Sequence, residues 1–294
     1  MESYQISDTP RKHMGMKKKN AIINTIIYIV LIGMSIFWIL PFIFILLESF
    51  RVESAGQVGY IIPQQWGLDN YIALFKHEYF MKWYGNTLLV ALIESIAQTA
   101  VVLCVSFTLS RIRFKGRKVL MNICLVLGMF PGFLTLVVLY QILSKIGMTG
   151  EYAIPGLILI AVAGSGTGYY VTKGYFDTIP FSLDEAAKVD GATKFQVFWK
   201  VILPLSKPIV IYAMLTAFLA PWGDFMFASY LARDAQAGWT VAVGLQWMMQ
   251  DSIKDTYYTM FCAGGILVAL PVTILFLILQ KYYVEGVTGG AVKG

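Results

Sequence analysis

The sequence predicts an all-α integral membrane protein with six transmembrane helices and both termini in the cytoplasm. Three observations carry this. Of the 294 residues, 57% are hydrophobic and only 14% are charged, against about a quarter charged in an ordinary soluble domain. Six apolar stretches are long enough to cross a bilayer, near 22–47, 86–110, 119–143, 153–172, 209–232 and 260–280. Lys and Arg are unevenly divided between the segments that join them.

The stretches are expected to be helices, because backbone groups in lipid must be satisfied internally. The first follows a basic tail, 1–21, yet is too long for a signal sequence and precedes no small-residue cleavage site, so it reads as an anchor. With the N-terminus inside, seventeen Lys and Arg fall on the cytoplasmic side and six outside. That ratio sets the expected orientation. The remaining divisions are 22–85, the first span with an outer loop; 86–280, a core of five helices holding the cytoplasmic loop 177–208; and 281–294, a cytoplasmic tail.

Several functions find little support in the composition. Cys104, Cys124 and Cys262 are widely spaced in apolar stretches and suit inert packing, not a disulfide or metal set. His13 and His77 are the only histidines. No metal ligand set, catalytic residue or nucleic-acid partner is expected, and H-E-x-x-H and G-x-S-x-G patterns are absent. Gly164-Ser-Gly-Thr-Gly168 lacks the Lys of a phosphate loop and suits close helix packing within a span.

The loop 177–208 is the most informative segment. Ser182 and Glu185 have capping-box spacing, predicting a helix from Leu183, with Asp184 and Glu185 in its first turn. Ala186 and Ala187 favour helix, and Gly191 permits a turn. Phe195, Phe198, Trp199 and Ile202 then fall on one helical face, which Pro204 and Pro208 should end. A cytoplasmic knob of this shape suits a partner's groove, although a plain connecting loop fits the residues equally well.

Two acidic residues fall inside spans. Asp224 follows Pro221 and Gly223, which together are able to break the fifth span and face a path with Trp222; a packed kink with a paired Asp224 is the other reading. Glu94 is the second intramembrane acid. An ion-coupled secondary transporter with Glu94 and Asp224 as ion sites is the alternative function, and it would require matching broken halves that the sequence does not display.

Glu185-Ala-Ala187, Gly191 and Leu203-Pro204 match the EAA motif of ABC-importer permeases, with Val201 where that family has isoleucine. Lys173-Gly-Tyr-Phe-Asp-Thr-Ile-Pro180 and Thr240-Val-Ala-Val-Gly-Leu-Gln246 resemble the second permease, or G subunit, of maltose and maltodextrin importers. Galactan-oligosaccharide permeases are nearly as similar. Phe218-x-x-x-Trp222-Gly-Asp224-Phe225 resembles the family's W-N-x-F segment with Gly223 in place of asparagine.

The resemblance implies a type I importer fold in a bacterial cytoplasmic membrane. It implies that Glu185, Ala186, Ala187, Asp190, Gly191, Leu203 and Pro204 couple the chain to an ATP-binding subunit dimer, which holds ATP and Mg while this chain has no cofactor. A second permease, an extracellular sugar-binding protein and an oligosaccharide are the other implied partners. The tail, with Gly289, Gly290, Lys293 and Gly294, is similar to one that reaches between the ATPase subunits, or is a frayed end. The loop 48–85, with Pro63, Trp66, Asn70-Tyr71 and Asn86-Thr87 beyond it, resembles the family's first outer loop. In the loop 233–259, Trp239 and Gln246 are the implied binding-protein contacts; Trp247 also suits such contact, whereas Tyr257 and Tyr258 better suit the headgroup belt.

Overall fold

A computed structural model describes residues 12–53, 60–250 and 252–289. In chain order the helices are α1 (Lys12–Ser49), α2 (Asp69–Lys76), α3 (Phe80–Arg111), α4 (Arg117–Met129) and α5 (Gly132–Lys145). Then come α6 (Ala153–Gly164), α7 (Tyr169–Thr178), α8 (Phe181–Val189), α9 (Lys194–Val197) and α10 (Leu203–Leu205). The chain continues through α11 (Lys207–Gly223), α12 (Met226–Ala232), α13 (Val241–Met248) and α14 (Lys254–Gly289). No strand occurs among the described residues; a lone antiparallel bridge joins Arg51 and Trp66.

Four helical stretches are long and apolar enough to cross a membrane: Asn20–Ser49, Phe80–Arg111, Gly150–Thr178 and Lys254–Tyr282. Two further pairs pass as bent spans. Arg117–Met129 and Leu134–Lys145 meet at 99°, at the Pro131-Gly132 break that the sequence suggests. Lys194–Leu205 and Lys207–Gly223 meet at 85°. The expected fifth span, 209–232, is therefore not one helix: α11 stops at Gly223 and α12 begins anew at Met226. At 1.5 Å per residue the 17 residues of α11 still reach about 25 Å.

Helix α1 packs on α14 and otherwise exposes its apolar residues, from Ile22 to Phe44. That is what a helix facing lipid does; water would not tolerate so long a patch. The interior is built on α3, which at 32 residues spans about 48 Å. Its first turns, with Phe80, Trp83, Val90 and Ala91, join one buried cluster that includes Leu231, Trp239, Val241 and Met248. Its last turns, with Leu103 and Phe107, join a second cluster that includes Phe176, Val197, Phe198, Ile202 and Ile209. Between them α3 turns polar, with Glu94, Gln98 and Thr99.

Trp83 anchors the first cluster. It is fully buried, donates from Nε1 to the Gln236 carbonyl at 2.9 Å, and stacks near Tyr79 and Trp239. Gly244 on α13 lies flat against it, so a Cβ there would overlap the indole. Gly244→Val is expected to lower stability by about 1–3 kcal/mol through overpacking. Thermal unfolding of the purified complex checks this; a melting point equal to wild type would show that the indole has room to move.

Candidate functional site

The knob forms, with one change of start. Helix α8 begins at Phe181, its N-cap is Pro180, and no side chain caps it. Ser182 is thus already inside the helix, where its hydroxyl cannot serve as the N-cap. The Ser182–Glu185 capping box expected from spacing is absent; Thr193 and Gln196 form one instead at the start of α9, with Gln196 Oε1 accepting from Thr193 N at 2.8 Å.

The far end of α8 explains the glycine. Gly191 has φ +81°, Gly191 N donates to Lys188 O, and Ala192 N donates to Ala187 O at 2.9 Å. This is a Schellman closure, whose left-handed residue is usually glycine. A Cβ on Gly191 would meet open space. The requirement is therefore conformational and not steric. Around it Glu185, Ala186, Val189 and Asp190 are exposed, and Ala187 is half-buried against the second cluster.

Asp184 does more than favour the helix dipole. It is only 4% exposed and pairs with Arg111 at the end of α3, Nε to Oδ2 3.5 Å. Arg111 Nη2 also donates to Phe176 O at 2.7 Å and to Ile179 O at 2.8 Å, and the guanidinium lies 4.3 Å from the Phe181 ring centre. Beside it, Ser110 Oγ donates to Asp177 Oδ1 at 2.6 Å, while Lys173 holds the other oxygen. The knob is thereby clamped to the end of α3.

The expected single face of Phe195, Phe198, Trp199 and Ile202 is split. Phe198–Ile202 is a π-turn, and a wider turn rotates later residues back relative to α-helical phase. Ile202 thereby joins Val197 and Phe198 in the core, while Phe195 (70%) and Trp199 (55%) stay exposed. Pro204 and Pro208 do not end the helix: they occupy the first turns of α10 and α11, and the break falls at Ser206.

The polar middle of α3 borders two cavities that share Gln98, Ile160 and Ala161. One, about 250 Å³, is lined by Glu94, Gln98, Asp224, Phe227 and Thr240 among apolar residues of α3, α6 and α11. Pro221 and Gly223 do end α11, and Asp224 Oδ1 accepts from Phe227 N at 3.1 Å. Gln98 Nε2 donates to Glu94 Oε2 at 3.2 Å. The other cavity, about 450 Å³, is lined by Thr99, Ser165, Thr167, Thr172, Tyr212 and Thr216 among others. Gly164 and Gly168 line it too, so of the glycine segment only Gly166 packs closely on another helix, against Val105 and Val101. Trp222 does not join Asp224: it is buried against Tyr84 and Phe218, in the first cluster.

A third cavity, about 580 Å³, lies beyond the break and is lined by Phe225, Ser229, Arg233, Asp234, Gln236, Trp239, Val243, Gln246, Trp247 and Gln250. Asn86 Nδ2 donates to the Ala237 and Trp239 carbonyls, and Val241 N donates to Thr87 Oγ1, so α3 pins this loop. Gln246 is exposed at its mouth. Trp239 is not: it is 6% exposed and donates from Nε1 to Arg233 O at 2.6 Å, so it chiefly braces the loop. Tyr257 packs on Trp247 and His77. Burial among these rings pushes the His77 pKa below its ordinary value.

The segment that follows α1 is tied by Arg51, which donates to Glu48 and to the Tyr60 and Ile61 carbonyls. Glu53 is held down to about pKa 2 by backbone N–H groups, its own first and then those of Gln64 and Gln65. Of the cysteines, Cys262 packs in the core, Cys104 is exposed and Cys124 is half-buried, so packing describes only one of the three fully. Gly289 ends α14, whereas Gly290, Lys293 and Gly294 lie outside the described residues. No group of three or more His, Cys, Asp or Glu able to hold a metal occurs among the described residues.

Residues 100–289 match the family described as the binding-protein-dependent transport system inner membrane component. The chain belongs to that family, the membrane permeases of ABC importers. It is 35% identical over 281 residues to the maltodextrin transport system permease protein MalD of Streptococcus pneumoniae, covering 95% of this chain and 99% of that one. It is 35% identical to the galactooligosaccharides transport system permease protein GanQ of Bacillus subtilis, covering 91% and 94%. Among solved structures it resembles a chain of a bacterial ABC transporter involved in the import of the acidic polysaccharide alginate, with TM-score 0.77, 20% identity and coverage of 95% and 100%.

Glu94 and Gln98 stand four residues apart on one helix, a spacing that allows side chains to meet. The sequence held that signal for Gln98. It held none for the partnership of Arg111 with Asp184, or for Thr240 reaching the same cavity as Glu94.

Proposed function

We propose that this chain is one of two permease subunits in an ATP-driven importer of maltodextrin-like oligosaccharides. The observation that carries the reading is the exposed knob clamped to α3: Glu185, Ala186 and Asp190 face outward, while Arg111 and Asp184 tie their helix to a membrane-length helix. A push on α8 therefore has a stiff route to the polar tract at Glu94 and Gln98. The relatives MalD and GanQ, transport-system permeases for maltodextrin and galactooligosaccharides, support the substrate class.

In this reading the chain crosses a bacterial cytoplasmic membrane six times with both ends inside, residues 1–21 and 281–294 being the cytoplasmic ends and 86–280 the core that moves sugar. The six spans count each bent pair once. A dimer of ATP-binding subunits, which holds ATP and Mg, grips Glu185, Ala186, Ala187, Asp190 and Gly191, and Leu203-Pro204 supports the loop from behind. This chain hydrolyses nothing. Gly289, Gly290, Lys293 and Gly294 reach toward that dimer. A sugar-binding protein docks outside near Gln246, and Asp224 borders the sugar path shared with a second permease. A solved alginate transporter carries a periplasmic protein holding an alginate pentasaccharide, which supports such an assembly.

The test is uptake of labelled maltotriose into vesicles holding the complete complex. Uptake is expected to require ATP and to persist when an uncoupler abolishes ion gradients. Uptake that survives without the ATPase and collapses with the uncoupler would instead make Glu94 and Asp224 ion sites.

A further inference from the structure

We propose that Glu94, Gln98, Asp224 and Thr240 form a subsite on this subunit that takes the hydroxyl groups of a neutral sugar ring and turns away uronic acids. The proposal rests on the permease reading above and names what the inner cavity holds. Four observations meet there. Two carboxyl groups, from α3 and from the break after α11, line one cavity of about 250 Å³. The amide of Gln98 completes the polar side and extends into the adjoining cavity. Thr240, 1% exposed, lines the same space with a hydroxyl that has no hydrogen-bond partner among the described residues. The rest of the lining is apolar and includes Val90, Leu157, Ile160 and Phe227.

A buried hydroxyl without a partner costs about 1–3 kcal/mol, so an occupant that hydrogen-bonds it is favoured. The arrangement is that of small-ligand sites generally: a mostly apolar pocket with a few convergent polar groups. A sugar ring matches it, since its edge carries hydroxyls and its faces carry C–H groups. Carboxyl and amide groups accept and donate to such hydroxyls. A bare cation matches less well, because only two carboxyl groups converge, beside one amide and one hydroxyl, and the rest of the wall is hydrocarbon.

The charge preference follows from what is missing. Neither adjoining cavity is lined by Lys, Arg or His among the described residues. A carboxyl wall in either protonation state offers hydroxyls a partner and offers a carboxylate no counter-charge. Burying an unpaired carboxylate is costly. The neighbouring cavity continues the pattern with Thr99, whose buried hydroxyl also lacks a hydrogen-bond partner among the described residues. A chain of neutral sugar units therefore finds hydroxyl partners at successive steps.

The experiment uses the complete importer in vesicles, with the binding protein loaded to saturation, and reads sugar moved per ATP hydrolysed. The probes are maltotriose and its C6-oxidised uronic form, with loading of the binding protein by each verified separately. Wild type is expected to move maltotriose and to move the uronic form at least tenfold less. Glu94→Gln and Thr240→Val are expected to lower maltotriose moved per ATP fivefold or more. Asp224→Lys is expected to raise uronate transport while lowering that of maltotriose; the near-isosteric Glu94→Gln and Thr240→Val keep the test open where the lysine variant fails to fold. Equal transport of both sugars by wild type, or wild-type yield in both isosteric variants, overturns the subsite. Uptake abolished by removing sodium assigns the carboxyl groups to a cation and also overturns it. A wild-type importer that moves neither sugar sinks the substrate reading in the preceding section, a result distinct from the others.

Discussion

Arg111→Ala is expected to detach the knob and abolish coupling. The guanidinium serves three elements: it donates to Phe176 O and Ile179 O at the end of α7, pairs with Asp184 of α8, and covers Phe181. Removing it leaves Asp184, 4% exposed, buried without its cation. Breaking a buried pair from one side costs about 3–5 kcal/mol, because the remaining charge is uncompensated. Two carbonyls lose their donor as well. Hydrogen exchange over 181–189 should rise sharply in the purified complex, and stimulation of the ATPase by loaded binding protein should fall to background. Arg111→Lys should not rescue, since an ammonium cannot reproduce a fork that reaches two carbonyls and a carboxylate together. Wild-type protection of α8 in Arg111→Ala would show that the apolar contacts of Ala187 and Phe181 alone hold the knob.

Gly191→Val is the second large effect. Nothing crowds this position, so the penalty is set by φ +81°. A left-handed conformation costs an L residue about 1–2 kcal/mol, and a β-branched residue sits at the unfavourable end. The expected result is an α8 that ends early, with the Ala192-to-Ala187 hydrogen bond lost and transport reduced at least tenfold. Gly191→Asn should retain most transport, because asparagine tolerates this backbone. The pair of variants separates conformation from bulk. If Val and Asn lose transport equally, the glycine is needed for close approach of a partner and not for its dihedral angle.

The fold was legible wherever the signal was local. Long apolar runs located α1, α3 and α14, and proline with glycine located the breaks after Met129 and Gly223. Spacing failed where a neighbouring residue changed the phase. Pro180 moved the start of α8 forward, so Ser182 was no longer at the cap, and the π-turn at Phe198 rotated Ile202 away from Phe195 and Trp199. Faces of aromatic residues were not legible at all. Trp222 lies in the last turn of α11, beside a break, and Trp239 follows a turn, yet both fill the first buried cluster, because Tyr84 and Trp83 from α3 wait there. The EAA motif was legible in the sequence, whereas the clamp beneath it was not. Arg111 counts in the sequence only as one more cytoplasmic charge, and Asp184 only as a helix-starting acid; their contact joins residues 73 positions apart in the chain.

Site-directed cross-linking tests most directly whether the knob seats in the ATPase. Ala186→Cys, exposed on α8, would be placed in a chain whose Cys104, Cys124 and Cys262 are replaced, and the complete complex probed with and without ATP. The expected result is a cross-link from residue 186 to the ATP-binding subunit, with shielding from aqueous thiol reagents in the assembled complex. Free labelling of residue 186 in the assembled complex under every nucleotide condition, with no cross-link, would contradict it.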